Sequence, residues 1–298
     1  MTSQSPSAPE TSSSAGNDAP AHRTCPLCGS DNAQRPASRW SRGEWIIKEC
    51  GDCAFPYLEN APVYERLKDE FAWEKTSEKV TADRKAAAPV RTAASRQVKA
   101  IKQNVLKREK IRDLVVTALT ETKLSGHLVD VGCGTGTPIR KIATELRAAG
   151  HEITPIGIEI SAELAASAHK KCRKLKGRCL HADALSGFES LPPDSVASII
   201  MSSYLEHEVQ PREVLQAALK AMKPGASCIV KVPNFACINR RVVGANWCGF
   251  RYPDHVNYFT PATLRRIAED SGFEIARQNI FDCFPLSDNM YAVLRKPA

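Results

Sequence analysis

The sequence predicts an α/β domain with a doubly wound sheet, preceded by a small four-cysteine unit. Three observations carry this. From Leu114 onward, apolar strand-like runs alternate with amphipathic helical stretches, the pattern of a largely parallel sheet covered by helices. A glycine-rich turn, Gly132-Cys133-Gly134-Thr135-Gly136, joins the first such strand to the first helix. Ahead of them stand two Cys-x-x-Cys pairs, Cys25/Cys28 and Cys50/Cys53.

Residues 1–22 are mainly Ser, Thr, Pro, Ala, Gly and Asn. They offer too little apolar surface to offset the entropy of ordering, so a disordered tail is expected. Residues 23–60 read as a zinc-binding domain of two short strands and two turns, with 21 residues between Cys28 and Cys50. Four thiolates so arranged give a tetrahedral set that suits zinc, closed to water and therefore structural. Iron would accept the same ligands. A unit this small has little core and gains from a metal. Residues 61–113 read as a charged helical linker. Its end, Ser95–Asp113, holds seven Lys or Arg against two acids, with Val98, Ile101, Val105, Leu106 and Ile111 roughly on one face. Packing on the next domain is one reading; contact with nucleic acid or a membrane surface is the other.

The main domain is expected over 114–298. His127–Val131 reads as a buried first strand and Pro138–Ala149 as the crossover helix, with proline in its first turn. Strands follow at Ile153–Ile160, Cys179–His181, Ser195–Met201 and Cys228–Val232. Helices lie between them at Ser161–Leu175, capped by Ser161, and Pro211–Met222, ended by Lys223-Pro224-Gly225. A helix opening at Thr260 and stopping at Ser271-Gly272 leads to two closing strands, Phe273–Ile280 and Met290–Leu294.

The chain has 298 residues, 43% of them hydrophobic, enough for one large domain and a small one. No apolar run approaches the ~20 residues of a bilayer span, and no export signal opens the sequence, so a cytoplasmic location is expected. Eleven cysteines, an odd count, then argue for metal and buried thiols rather than a disulfide framework. The net charge of +8 permits an anionic partner without choosing one.

In Asp130-Val131-Gly132-Cys133-Gly134-Thr135-Gly136 the glycines allow a tight turn and close approach to a ligand, and the following helix offers unpaired N–H groups. The third glycine comes one position too early for the dinucleotide fingerprint, and no Lys-Ser or Lys-Thr follows as in a phosphate loop. Asp130 puts a carboxylate at the mouth of the loop, which suits a ligand with an ammonium group better than a pyrophosphate. Glu159, 29 residues on, can accept bonds from a ribose diol, and Asp183 from an adenine amino group beside the backbone of Ala184. Each also has a local reading: Asp183 capping a turn, Glu159 capping the helix that begins at Ser161.

With these motifs quoted, residues 114–298 resemble a class I S-adenosylmethionine-dependent methyltransferase. The resemblance rests on Val129–Gly136, Gly157-Ile158-Glu159, Ala182-Asp183-Ala184 and Leu219–Gly225. It implies a seven-stranded sheet with a reversed last strand in Phe273–Leu294. It implies that Gly132, Gly134 and Gly136 line the methionyl part of the cofactor, that Glu159 meets the ribose and Asp183 the adenine. Cys133, Ile160 and Ala184, beside these residues, complete the expected cofactor set with Asp130. The family often has two glycines after the proline of Lys223-Pro224-Gly225; here the second is Ala226. With its four-cysteine unit, the chain resembles methyltransferases of bacterial secondary and surface-glycan metabolism that carry an N-terminal zinc domain. It resembles ribosomal-RNA guanine methyltransferases more faintly, because those have a histidine among the ligands and other spacings.

In open α/β sheets the ligand site lies at the carboxyl ends of the strands. Tyr204, Glu206 and His207 follow the fourth strand there, and Asn234 follows the fifth. Asn246–Phe259, rich in aromatics, reads as a roof over a substrate pocket. A protonated acceptor needs a base, and His255 and His207 are the candidates, with Tyr204 orienting. His207 is otherwise a brace for the cofactor loop and His255 a turn residue. Trp247, Arg251, Tyr258 and Asn234 are the expected acceptor contacts; Trp247 is otherwise filler between domains. The expected activity is methyl transfer to a small molecule on oxygen, nitrogen or carbon, with the zinc unit shaping the acceptor site or a homodimer contact. The alternative is an RNA base methyltransferase guided by the zinc unit and basic helix; a ribbon that is not strongly basic counts against nucleic acid.

Overall fold

A computed structural model of the chain describes residues 22–62 and 109–298. The expected tail over 1–22, His22 excepted, and most of the expected linker over 61–113 lie outside them. The N-terminal unit holds β1 (Ile47–Glu49) and β2 (Pro56–Leu58), paired antiparallel. Then come α1 (Lys110–Thr122), β3 (Gly126–Val131), α2 (Thr137–Ala148), β4 (Ile153–Glu159), α3 (Ala162–Cys172), β5 (Arg178–His181) and α4 (Ala184–Glu189). The second half is β6 (Val196–Ser202), α5 (Pro211–Ala221), β7 (Met222–Pro233), α6 (Ile238–Val243), α7 (Pro261–Asp270), β8 (Glu274–Arg277) and β9 (Asn289–Arg295).

Seven strands form one sheet in the order β5-β4-β3-β6-β7-β9-β8. The ladders from β5 through β7 are parallel, and β9 runs antiparallel to both β7 and β8. The reversed last strand is therefore present, inserted before β8. Strand alternation divides the core. Val129, Ile199 and Val230 pack on the face covered by α4, α5 and α7. Leu128, Ile200 and Ile229 pack on the other face, with Leu114, Val115 and Leu119 of α1 and Ile139, Ile142 and Leu146 of α2. Helix α1 thus crosses the expected boundary at 113/114 and belongs to the sheet domain.

Local chemistry sets the helix starts. Ser161 caps α3 by accepting from the Leu164 N–H, and Thr260 and Thr263 form a reciprocal capping box on α7. Two expectations change. Strand β7 begins at Met222, directly after α5, and not at Cys228. Met222 pairs with Val196, pairing resumes at Ser227 opposite Ser198, and the intervening Lys223-Pro224-Gly225 bulges, with Gly225 at φ 75°. Helices α4 and α6, six residues each, are too short to show a period in sequence.

The N-terminal unit shares the core of the larger domain. Tyr57 of β2 bridges Asn257, the Leu58 N–H donates to the Val256 carbonyl at 2.9 Å and the Tyr258 N–H to the Pro56 carbonyl at 3.1 Å. The Arg23 guanidinium donates to the carbonyls of Val256 and Val209 at 3.1 and 2.5 Å and to Oδ1 of Asn257 at 2.9 Å. Phe55 packs on Phe259 with ring centroids 5.2 Å apart. The chain segment 256–258 is in effect a third strand of the four-cysteine unit.

Candidate functional site

Strand β3 ends in the glycine turn, where Gly132, Gly134 and Gly136 have φ of 65°, 54° and 70°, a region only glycine enters cheaply. A Cβ on Gly136 would lie 2.8 Å from the Ala168 Cα of α3, so that glycine is required by packing. A Cβ on Gly134 would meet nothing within 4 Å; its face is an open cradle. Glu159 at the end of β4 pins the turn. Its Oε2 accepts from the Gly134 N–H at 2.8 Å and its Oε1 from the Ser161 N–H at 3.1 Å. Ile160 lies between the two. Cys133 is buried, its Sγ 3.7 Å from that of Cys179, which pushes its thiol far up.

Asp130 differs from these. Its carboxylate is 6% exposed, and no described residue bonds to it. Burial, and secondarily the charge of Glu159, pushes its pKa up to about 7. A buried carboxylate without a donor is stabilised by a cation. The residues therefore fit the methionyl end of S-adenosylmethionine, which brings an ammonium group. Asp183 accepts from the Ser186 N–H at 2.8 Å and from its hydroxyl at 2.7 Å, capping α4. Burial opposes its charge, but these bonds outweigh it and hold its pKa below the usual carboxylate range. The local alternatives for Asp183 and Glu159 are thus the contacts seen within the chain. Ala184 follows as the first, buried residue of α4.

The turn after β6 carries the second group. The Tyr204 ring lies against Gly132, where a Cβ would be 3.3 Å from it, and its hydroxyl bonds to Glu208. Two residues on, Glu206 is 1% exposed, and its Oε2 has no hydrogen-bond partner among the described residues. Burial raises its pKa to about 7. His207 Nδ1 donates to the Asp254 carbonyl and His255 Nδ1 to the Gly249 carbonyl, each at 2.8 Å. Carbonyls only accept, so in each neutral ring the lone pair is on Nε2. The rings meet edge-on with centroids 4.6 Å apart. Burial and then the Arg251 charge pull His207 down to about 4, so it is neutral at pH 7. One ligand atom from each of Glu206, His207 and His255 lies within 4.8 Å of the others. Sequence placed the two histidines as candidates but gave no sign that they meet or that Glu206 joins them.

The expected acceptor contacts are placed differently. Trp247 is 1% exposed; its Nε1–H donates to Asp288 at 2.8 Å and its ring packs on Phe235 and Phe250. Tyr258 and Asn234 are each 2% exposed, the latter accepting from the Ala236 N–H at 3.0 Å. Within the chain Trp247 and Tyr258 thus pack in the aromatic roof, and Asn234 braces the end of β7 beside it. Arg251 is ion-paired to Asp254 at 2.7 Å and fixes the loop that carries His255.

The four cysteines converge. Sγ of Cys25 lies 3.5 Å from that of Cys53, and Sγ of Cys28 lies 3.5 Å from that of Cys50. Zinc at ~2.3 Å from each sulfur would set them about 3.8 Å apart, so the donor set fits that metal. Burial opposes a Cys50 thiolate, but the N–H groups of Cys53 and Asp52 and other hydrogen bonds outweigh it and bring that thiol to about 6.

A family model described as a methyltransferase domain matches residues 104–278. A ubiquinone biosynthesis O-methyltransferase of Cupriavidus pinatubonensis is 25% identical over 176 residues, 56% of this chain and 68% of that protein. A protein of the same description from Psychrobacter arcticus is 28% identical over 180 residues, 54% of this chain and 63% of that one. The chain thus spans roughly two thirds of the length of these curated relatives. Among solved structures, a SAM-dependent methyltransferase of Archaeoglobus fulgidus aligns over 62% of this chain and 94% of its own, at 19% identity and a TM-score of 0.43. Magnesium protoporphyrin IX methyltransferase of Synechocystis PCC 6803 aligns over 63% and 78%, at 15% and 0.43. Among the described residues no helix is long and apolar enough to cross a membrane. The family match spans more than half of the chain and covers the glycine turn and strands β3 to β8: the protein belongs to the methyltransferase domain family and is an S-adenosylmethionine-dependent methyltransferase.

Proposed function

We propose that this chain methylates a hydroxyl of a small-molecule acceptor, bound between the glycine turn and the Glu206–His207–His255 cluster. The observation that carries the reading is Asp130, buried and without a donor at the mouth of an open glycine cradle. S-adenosylmethionine supplies a methyl group already activated on a sulfonium. The work left to the protein is orientation, exclusion of water and removal of the acceptor proton. Asp130 holds the ammonium group, and the Gly132–Gly136 backbone faces the amino-acid tail. Cys133 and Ile160 wall the pocket, Glu159 takes the ribose and Asp183, beside Ala184, the adenine. Tyr204 orients the acceptor. His207, neutral with its lone pair on Nε2, takes the acceptor proton, and His255 shares that role. The curated relatives, described as O-methyltransferases of ubiquinone biosynthesis, support an oxygen nucleophile on a small molecule. The four cysteines hold structural zinc, which fixes β2 against the roof.

The test is calorimetric titration of S-adenosylmethionine into the full chain. Saturable binding is expected, weakened on the order of 10- to 100-fold by Asp130→Asn, the loss of one charge-assisted bond of ~1.5–3 kcal/mol. No binding by the unaltered chain refutes the pocket. His207→Gln is expected to keep that affinity while slowing methylation of a phenolic probe acceptor, read by mass.

A further inference from the structure

We infer that Glu206, His207 and His255 form a binding site for a divalent cation of the zinc class, distinct from the four-cysteine site and open on one side. Two imidazoles and one carboxylate are a donor set that borderline metals prefer, and three protein ligands leave a coordination position over. The geometry is already arranged. One ligand atom of each side chain lies within 4.8 Å of the others, a spacing that small side-chain shifts close to a coordination sphere. Each imidazole donates Nδ1–H to a backbone carbonyl, Asp254 for His207 and Gly249 for His255. That second contact presents Nε2 as the donor and fixes the ring, as is usual around metal-bound histidines. The independent sign is Glu206, 1% exposed with Oε2 unpartnered among the described residues. An unpartnered carboxylate oxygen so deeply buried is costly, and a cation bound to it relieves that cost.

The supports are rigid. The Glu206 carbonyl accepts from the N–H groups of Val256 and Asn257 at 2.8 and 3.1 Å, so the two loops that bring the ligands are bolted together. His207 is only half buried, which leaves the cluster a side toward solvent. The inference rests on the proposed acceptor position only for its use: with the cation bound, the imidazoles are its ligands and the cation raises the acidity of an acceptor hydroxyl; in the metal-free chain His207 keeps the role of base given above. Binding itself is independent of that reading.

The experiment is metal analysis of the full chain loaded with zinc and freed of loose metal by gel filtration, without S-adenosylmethionine. About two zinc per chain are expected, one from each donor set. Glu206→Gln and His207→Gln, tested separately so that one misfolded variant does not decide the matter, should each fall to about one. Retained S-adenosylmethionine binding certifies their fold. One zinc in the unaltered chain, or two in either variant, overturns the site. Failure of the chain to bind S-adenosylmethionine at all, with two zinc present, sinks the acceptor reading and leaves the metal site standing.

Discussion

In the four-cysteine unit the two metal turns are closed locally: Gly29 N–H bonds the Cys25 carbonyl at 2.7 Å, Ala54 N–H bonds the Cys50 carbonyl at 3.0 Å, and the sulfurs face one another. In the cleft, Asp130 and Glu206 are as deeply buried, at 6% and 1% exposed, yet among the described residues none bonds the Asp130 carboxylate and none bonds Oε2 of Glu206. The first arrangement is complete once a metal binds and has no room for a substrate. The second is incomplete until something cationic arrives. Buried charge without a partner is unfavourable for folding, so its presence at the carboxyl ends of β3 and β6 marks where stability is given up for binding.

The contrast breaks most visibly at the cysteines. Cys50→Ser is expected to remove the metal and, with it, several kcal/mol of stability, because structural zinc contributes folding free energy directly. The loss reaches beyond the unit, since Leu27, Phe55 and Tyr57 are fully buried in the core shared with Leu264 and Phe259. Thermal denaturation and protease sensitivity of residues 22–62 read it. An unchanged melting temperature would show that β2 is held by its bonds to 256–258 alone.

Asp130→Asn should behave in the opposite sense. Its carboxyl has a folded pKa of about 7 against an ordinary 3.8, raised by burial and then Glu159. The folded state therefore keeps the proton longer than the unfolded one. The favourable contribution is full below about pH 3.8 and is lost as pH rises to about 7. At pH 7.5 the ligand-free variant should be more stable than the unaltered chain by on the order of 1–3 kcal/mol, with the gap closing toward pH 4. His207, pulled down to about 4, has the opposite slope but is common to both proteins and cancels in the difference. Affinity for S-adenosylmethionine should rise with pH toward 7 in the unaltered chain and stay flat in the variant. Parallel pH profiles would mean that Asp130 does not meet the ammonium.

How much of this the sequence discloses follows the same division. The cysteine spacing and the glycine turn are local, so their chemistry is written within a few residues, and the alternation of elements was enough for the sheet. The meeting of Glu206 with His255, 49 positions apart, depends on how the Asn246–Phe259 roof folds back onto the turn after β6, and no local pattern reports it. The addition of 256–258 to β2 is hidden for the same reason. Helix α4 contains Gly187 and spans six residues; its one clue in sequence is Asp183, which reads equally as the cap of a turn and as a ligand contact.

Trp247 shows what composition leaves open: an aromatic-rich loop has the same composition whether it faces an acceptor or packs on itself. Here it packs, with Phe235, Phe250 and Tyr258 mutually in contact. Trp247→Phe is the mildest change in the series. It keeps most of the ring's packing and removes one N–H bond, while Asp288 still accepts from Asn239 Nδ2 at 2.7 Å. A loss of about 1–2 kcal/mol of stability is expected, with KM for the acceptor unchanged because the ring does not reach the cleft. Steady-state kinetics beside a denaturant melt separate the two readings. A KM that rises several-fold with stability intact would return the indole to the acceptor pocket, and the roof would then have to open by more than the side chain itself before substrate could enter.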